Sequence, residues 1–228
     1  MYWSENKDKK AEFIVPDNIV DVVFNIQGKA VPLDNAHALS SAIEQLLPWV
    51  AENPQIGIHQ IYGAESGNGW LRPENTENEV LYLSRRQKLI LRIPKEQLAE
   101  TQQLTGQTLT VDEYELKIGQ SVVRKLSEMN IIFARHVVVN GQEQSEDEFM
   151  QACAAQCNAL GIEVKKMMCG LERTIQLPGR QLITRGLMLA DLEKEDSIKL
   201  QENGLGMERK LGCGLFVPQK GIDTANPD

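Results

Sequence analysis

Three histidines are the only side chains of this 228-residue chain whose ordinary pKa lets them exchange protons near neutral pH, and two of them stand where that chemistry is practicable. His37 opens an amphipathic stretch just after Asp34, which is expected to cap the helix and so place His37 in its first turn. Its neighbours three, four and seven positions on are Ser40, Ser41 and Glu44, so the ring is expected on the polar side, away from the stripe of Leu39, Ile43 and Leu46. His59, in the run Gly57, Ile58, His59, Gln60, is the second candidate base, or a partner to the first. His136 lies in an apolar run beside Arg135 and is read as a packing residue. Ser66 is not a serine nucleophile: a nucleophile elbow needs glycine two residues earlier, where Ala64 stands, and Ser66 and Asn68 read as turn residues.

The other constellation is late. Gly204, Gly206, Gly212 and Gly214 surround the adjacent cations Arg209 and Lys210 and run into Leu215, Phe216 and Val217. Glycine permits positive φ and close approach of another polymer to the peptide plane, and the two cations attract phosphate, so the segment reads as an RNA-gripping loop. Its spacing fits neither the dinucleotide fingerprint G-x-G-x-x-G nor the phosphate loop that ends in G-K-[ST].

Charge limits the binding surface. There are 24 Lys and Arg against 32 Asp and Glu, a net charge of −8, whereas nucleic-acid binders are usually basic. The windows 161–190 and 204–221 together carry a net +5, leaving −13 on the remainder, so a basic face on an acidic body is expected. Four cysteines with no C-x-x-C pair, and none of them beside a histidine, are expected to be reduced and mostly buried, with no metal and no cofactor. No run of 18 apolar residues occurs and the first residues are polar, so a cytoplasmic protein without membrane contact is expected.

The order of elements suggests an α+β fold of two tandem ferredoxin-like domains, antiparallel sheets with helices on one face. In the first domain, 1–127, Val20 to Ile26 reads as a strand, Asn35 to Val50 as a helix, Ile56 to Tyr62 and Leu81 to Ile93 as strands, Lys95 to Gln103 as a short helix and Tyr114 to Val123 as the closing strand. In the second, 128–228, a strand over 130–139 precedes a helix capped by Ser145 with Glu148 and ended by Gly161. Strands are expected over 163–168, 172–177 and 181–189, then a helix over 192–203 and the glycine loop.

Ordered segments along the whole chain carry a family resemblance: Tyr2-Trp3, Asp34 to Leu39, Gly57 to Trp70, Tyr82 to Arg86, Phe133 to Arg135, Met188 to Asp191 and Gly212 to Phe216. Together they resemble the CRISPR-associated endoribonucleases of the RAMP superfamily that cut precursor CRISPR RNA at its repeats, in the variant of the myxobacterial (MYXAN) subtype. The resemblance implies a stem-loop repeat RNA as partner, further CRISPR effector subunits as company, and a catalytic histidine in or just before the first helix, the place of His37, with His59 of the following strand the alternative base. It also implies metal-independent attack of a ribose 2′-hydroxyl on the adjacent phosphorus, with Arg209 or Lys210 countering the developing charge. Lys165, Lys166 and Arg173 would then contact the repeat stem through its backbone, as A-form RNA is mostly read, and Arg85 and Arg86 form a further basic cluster on a strand. Two other readings stand beside this one: an RNA-holding RAMP subunit without cleavage, and a small-molecule enzyme or protein-interaction module on the same fold.

Overall fold

The computed structural model describes residues 13–63, 79–141 and 143–219. The expected turn at Ser66 and Asn68 and the C-terminal tail lie outside the described residues. In chain order the elements are β1 (Ile19–Gln27), β2 (Ala30–Pro32), α1 (Ala36–Leu46), α2 (Trp49–Glu52), β3 (Gly57–His59), β4 (Val80–Tyr82), β5 (Lys88–Pro94), α3 (Leu98–Thr101), β6 (Thr108–Val111) and β7 (Tyr114–Arg124). They continue with β8 (Ile132–Val137), α4 (Glu146–Ala159), β9 (Lys166–Leu177), β10 (Arg180–Ala190), α5 (Lys194–Asn203) and β11 (Val217–Pro218). One sheet runs β3-β5-β1-β7-β6 and another β11-β8-β10-β9, every pairing antiparallel. Stripped of the extra hairpin strand β6, the first sheet has the order of a β-α-β-β-α-β unit, and the second repeats it. The fold is therefore α+β with tandem ferredoxin-like halves, as the element order suggested.

Alternation builds each half. Val20, Val22, Phe24 and Ile26 of β1, Leu89, Leu91 and Ile93 of β5, and Leu116 and Ile118 of β7 point to one face, where Leu39 and Ile43 of α1 cover them. In the second half Ile132, Ala134, Leu187 and Leu189 meet Phe149, Cys153 and Cys157 of α4 and Leu200 of α5. The Ser145 and Glu148 capping box is formed, and Gly161 follows α4 at φ +73°. All four cysteines are free thiols, and burial pushes Cys153 to about 12 and Cys157 to about 11.

Several boundaries differ from expectation. Pro48 divides the expected first helix into α1 and α2, and Leu46, expected in the core stripe, is 41% exposed while Leu47 is buried. The run 81–93 is two strands: β4 pairs with β2, then a turn held by the Gln87 side chain on Ser84 leads into β5. The two strands expected over 163–177 are one, because Gly170 fits against Gly186 of β10 and pairing continues through it. Asp34 does not cap α1; the cap position is Asn35, which makes no capping bond and instead ties its side chain to the backbone of Ile61 and Pro32.

The halves are fastened by polar contacts on the face of the first sheet opposite α1. Arg92 of β5 is fully buried there: Nε and Nη2 donate to the Asp21 carboxylate at 2.7 and 2.9 Å. Its Nη1 donates to the carbonyls of Gln201 and Phe216 at 3.0 and 2.8 Å. Burial by itself would raise the Asp21 pKa, but the charge and hydrogen bonds of Arg92 outweigh it and hold the carboxyl below its usual value. Asp34 adds a second tie by accepting from the Gln176 amide of β9 at 2.7 Å.

Candidate functional site

A cleft of about 550 Å³ opens between the two halves. His59, Gln60, Tyr62 and Ile90 line it from the first half, Phe133, Arg135, Met168, Arg173, Met188 and Val217 from the second sheet, and Gly212 and Leu215 from the glycine loop. None of its described lining residues is acidic, on a chain whose net charge is −8. Two arginines and no described carboxylate in the lining favour an anion there over the acidic remainder of the surface.

β3 positions His59 by alternation: Ile58 enters the core, so Gly57 and His59 face the second half. Gly57 lets the Leu215 side chain lie against the strand, since a Cβ would come 2.5 Å from its methyl carbon and displace it. The ring is half-buried, and its enclosed Nε2 takes no hydrogen bond among the described residues. Burial first, and then the Arg92 guanidinium, lower its pKa from 6.5 to about 4. Beside it the Arg135 guanidinium lies 4.4 Å from the centre of the Tyr62 ring, which stacks on His136 at 6.2 Å. His136 is buried and shares a 2.8 Å hydrogen bond with Thr184, in keeping with a packing role.

His37 does not line the cleft. It is half-buried in the first turn of α1. The helix start it occupies packs on the glycine loop, with Ala36 in one apolar cluster with Leu211 and Cys213. The loop also reaches the cleft wall, where Gln60 Nε2 donates to the Leu211 carbonyl at 2.8 Å. Loop, cleft and α1 thus adjoin, since both the start of α1 and the β3 segment that carries His59 pack on the loop.

The loop itself is folded onto protein. All four of its glycines have positive φ, and Gly206 and Gly214 have no space for a side chain: a Cβ would come 2.1 Å from the carbonyl oxygens of Val138 and Leu205 respectively. Only Gly212 reaches the cleft. Arg209 donates to the carbonyls of Asn203, Glu202 and Gln55, and Lys210 to that of Ala51. Burial, then the charge of Arg92, lower the Arg209 pKa to about 10. Of the other expected contact residues, only Arg173 is in the cleft. Lys165 and Lys166 sit at the start of β9 beside Glu193 and Asp191, at 2.9 and 2.7 Å, and Arg85 and Arg86 occupy an exposed turn rather than a strand. Arg135, Gln60 and Tyr62 were not singled out in the sequence as site residues; the signal available was their place inside the segments that carried the family resemblance.

A family model described as Cas6 CRISPR matches residues 20–221. The chain belongs to the Cas6 family. A CRISPR-associated endonuclease Cas6 of Myxococcus xanthus is 32% identical to it over 199 residues, 87% of this chain and 81% of that protein. By class this Cas6 chain is thus an endonuclease, as the sequence led one to expect. The solved structure of a CRISPR associated protein Cas6 superposes with a TM-score of 0.61 at 11% identity, covering 89% of this chain and all of that one. An RAMP protein binding different RNA substrates gives 0.60 at 13% identity, over 87% and 98% of the two chains. A Cas6-related protein from Pyrococcus furiosus gives 0.59 at 15%, over 90% and 99%. At such identities these likenesses show the shared fold. Among the described residues of this Cas6 chain no group of three or more His, Cys, Asp or Glu side chains is placed to hold a metal ion, and no helix is long and apolar enough to cross a membrane.

Proposed function

We propose that this chain is a cytoplasmic, metal-independent endoribonuclease that cuts precursor CRISPR RNA within its stem-loop repeats. The ribose 2′-hydroxyl loses its proton to His37 and attacks the adjacent phosphorus; the P–O5′ bond breaks and the departing 5′-oxygen takes a proton from water, leaving a 2′,3′-cyclic phosphate and a 5′-hydroxyl fragment. The observation that carries this reading is the cleft whose described lining holds arginines and no carboxylate on an acidic chain, adjoining the loop against which the His37 helix start is packed. The Myxococcus relative is an endonuclease, and a neighbour of the same fold binds RNA substrates, both in keeping with it.

His37 is preferred to His59 as the base on chemical grounds. A general base works best with a pKa near the working pH, and His59, held to about 4 with Nε2 enclosed, is a weak acceptor. His59 is then a residue of the cleft wall that meets the strand. Arg135 and Arg173 grip phosphates in the cleft, and Lys165, Lys166, Arg85 and Arg86 are assigned to the repeat stem beyond it. The units are 1–127 and 128–228, a division supported by β7 and β8 lying in different sheets. The processed RNA stays bound for transfer to effector subunits.

One observation favours the alternative of an RNA-holding subunit without cleavage: Arg209 and Lys210, the cations within the loop, both donate to protein carbonyls. A single experiment separates the two. Repeat RNA is incubated with the protein in EDTA and the product ends are mapped. Cleavage to a cyclic phosphate is expected, blocked by a single 2′-deoxy substitution at the scissile nucleotide. His37→Ala is expected to slow cutting by roughly 10²- to 10⁴-fold with binding retained. Undiminished cutting by His37→Ala removes His37 from the mechanism, and binding without cleavage by the unaltered protein establishes the alternative.

A further inference from the structure

The cleft face of the second sheet carries an apolar rung that crosses all four of its strands. Val217 of β11 stands opposite Phe133 of β8, Phe133 opposite Met188 of β10, and Met188 opposite Met168 of β9. All four line the cleft, and Met168 is 60% exposed. On the other face of β8, Ile132 and Ala134 are fully buried, whereas Phe133 between them is only half-buried. Nothing in the core chemistry requires an aromatic residue turned outward there.

The backbone around the ring is cleared for it. Gly186 is adjacent, and a Cβ on it would come 3.3 Å from Phe133 Cε2; Gly170, across the next strand, would place one 3.1 Å from the Gly186 Cα. Two neighbouring strands thus present bare backbone beside an aromatic ring. Cations share the cleft: Arg135 is two residues along β8 on the same face, and Arg173 lies farther along β9, opposite Thr184, both in the lining.

Resting on the reading of the chain as an RNA-cleaving enzyme, we propose that Phe133 is a stacking platform for one unpaired nucleobase, with Val217 and Met188 flanking it and Arg135 and Arg173 on the neighbouring phosphates. A nucleobase has an apolar, polarisable face and travels with negative charge; this rung offers an aromatic face, thioethers and guanidinium groups in one place. A volume of about 550 Å³ is of the size that small-molecule-sized groups fill, which suits a base and its sugar-phosphate better than a protein surface.

The test uses short single-stranded RNAs carrying 2-aminopurine at one position each, with a blunt stem-only hairpin for comparison. Fluorescence of at least one probe is expected to be quenched on binding. Phe133→Ala is expected to remove the quench and weaken single-strand binding roughly 5- to 100-fold, leaving the stem-only hairpin unaffected, while Phe133→Trp restores both. Phe133→Leu, which keeps apolar volume without the ring, serves the same comparison if Phe133→Ala melts early. Equal quenching and affinity in these variants overturns the platform; so does equal weakening toward the stem-only hairpin, the result expected of a merely structural residue or a protein-docking one. The outcome separates from the nuclease reading: quenching without cleavage of repeat RNA retains the platform and removes the enzyme, cleavage with unchanged quenching does the reverse, and no RNA binding at all removes both.

Discussion

The face of the first sheet opposite α1 is where charge is concentrated in low-dielectric surroundings, and His59 is the residue that registers it. Asp21, Arg92, Arg124 and Arg209 all bear on its ring; with burial, the three cations outweigh the single carboxylate and keep it neutral down to about pH 4. The linkage has a definite sign. An unfolded chain takes up a proton on this histidine as pH falls through its ordinary 6.5, and the folded chain only near 4. Between those values the unfolded state holds more protons, so stability from this group falls as pH drops through the window and is unchanged above it. The urea midpoint of the protein is expected to decline between pH 6.5 and 4, and His59→Asn, which cannot titrate, is expected to lessen the decline. An identical pH profile in the variant would show that His59 is not held neutral. The cost of that neutrality is a weak base, which is the reason the chemistry is assigned to His37.

At the scale of elements, the glycine loop shows how a correct feature is open to a wrong physical explanation. Its glycines were legible as necessary, but necessary for close approach of a foreign polymer; the approaching polymer is the chain itself. The Gly206 amide donates to Gln156 of α4, and its φ of +76° under the Val138 carbonyl leaves no space for a methyl group. Gly206→Ala is therefore expected to lower stability by at least ~1–3 kcal/mol, from the left-handed backbone before any clash, and to weaken RNA binding through displacement of the whole loop. Chemical denaturation checks the first, and a variant as stable as the parent would contradict the packing described. The same logic sets what else was legible. Alternation along β1 and the helical spacing of Leu39 and Ile43 gave two elements directly, and the Ser145 capping box gave the start of α4. The β6-β7 hairpin was missed because its turn runs through Asp112 at φ +52°, without the glycine that usually marks one. Asp34 looked like a cap because it precedes a helix, whereas its partner is 142 residues away in β9, a distance no local pattern reports.

The whole molecule has to bring a polyanion to a body of net charge −8. Long-range attraction is therefore weak, and affinity must come from the short-range contacts of one cleft in which the described lining is free of carboxylates. Position separates the cations. Arg135 and Arg173 line the cleft, Lys165 and Lys166 pair with Glu193 and Asp191 at the outer end of β9, and Arg209 and Lys210 donate to backbone carbonyls. Each phosphate neutralised on a single strand contributes ~0.7 to the slope of log K against log salt. Arg135→Ala and Arg173→Ala are each expected to reduce that slope by ~0.7, with both losses adding in the double variant. Lys165→Ala is expected to change it less, because a phosphate must first displace Glu193 from the Lys165 ammonium. Binding isotherms of a short single-stranded RNA over a salt series decide the matter. If the slope is unmoved by the two arginines and falls with Lys165, the strand runs along the outer end of β9 rather than between the two sheets, and the cleft loses its claim to be the site.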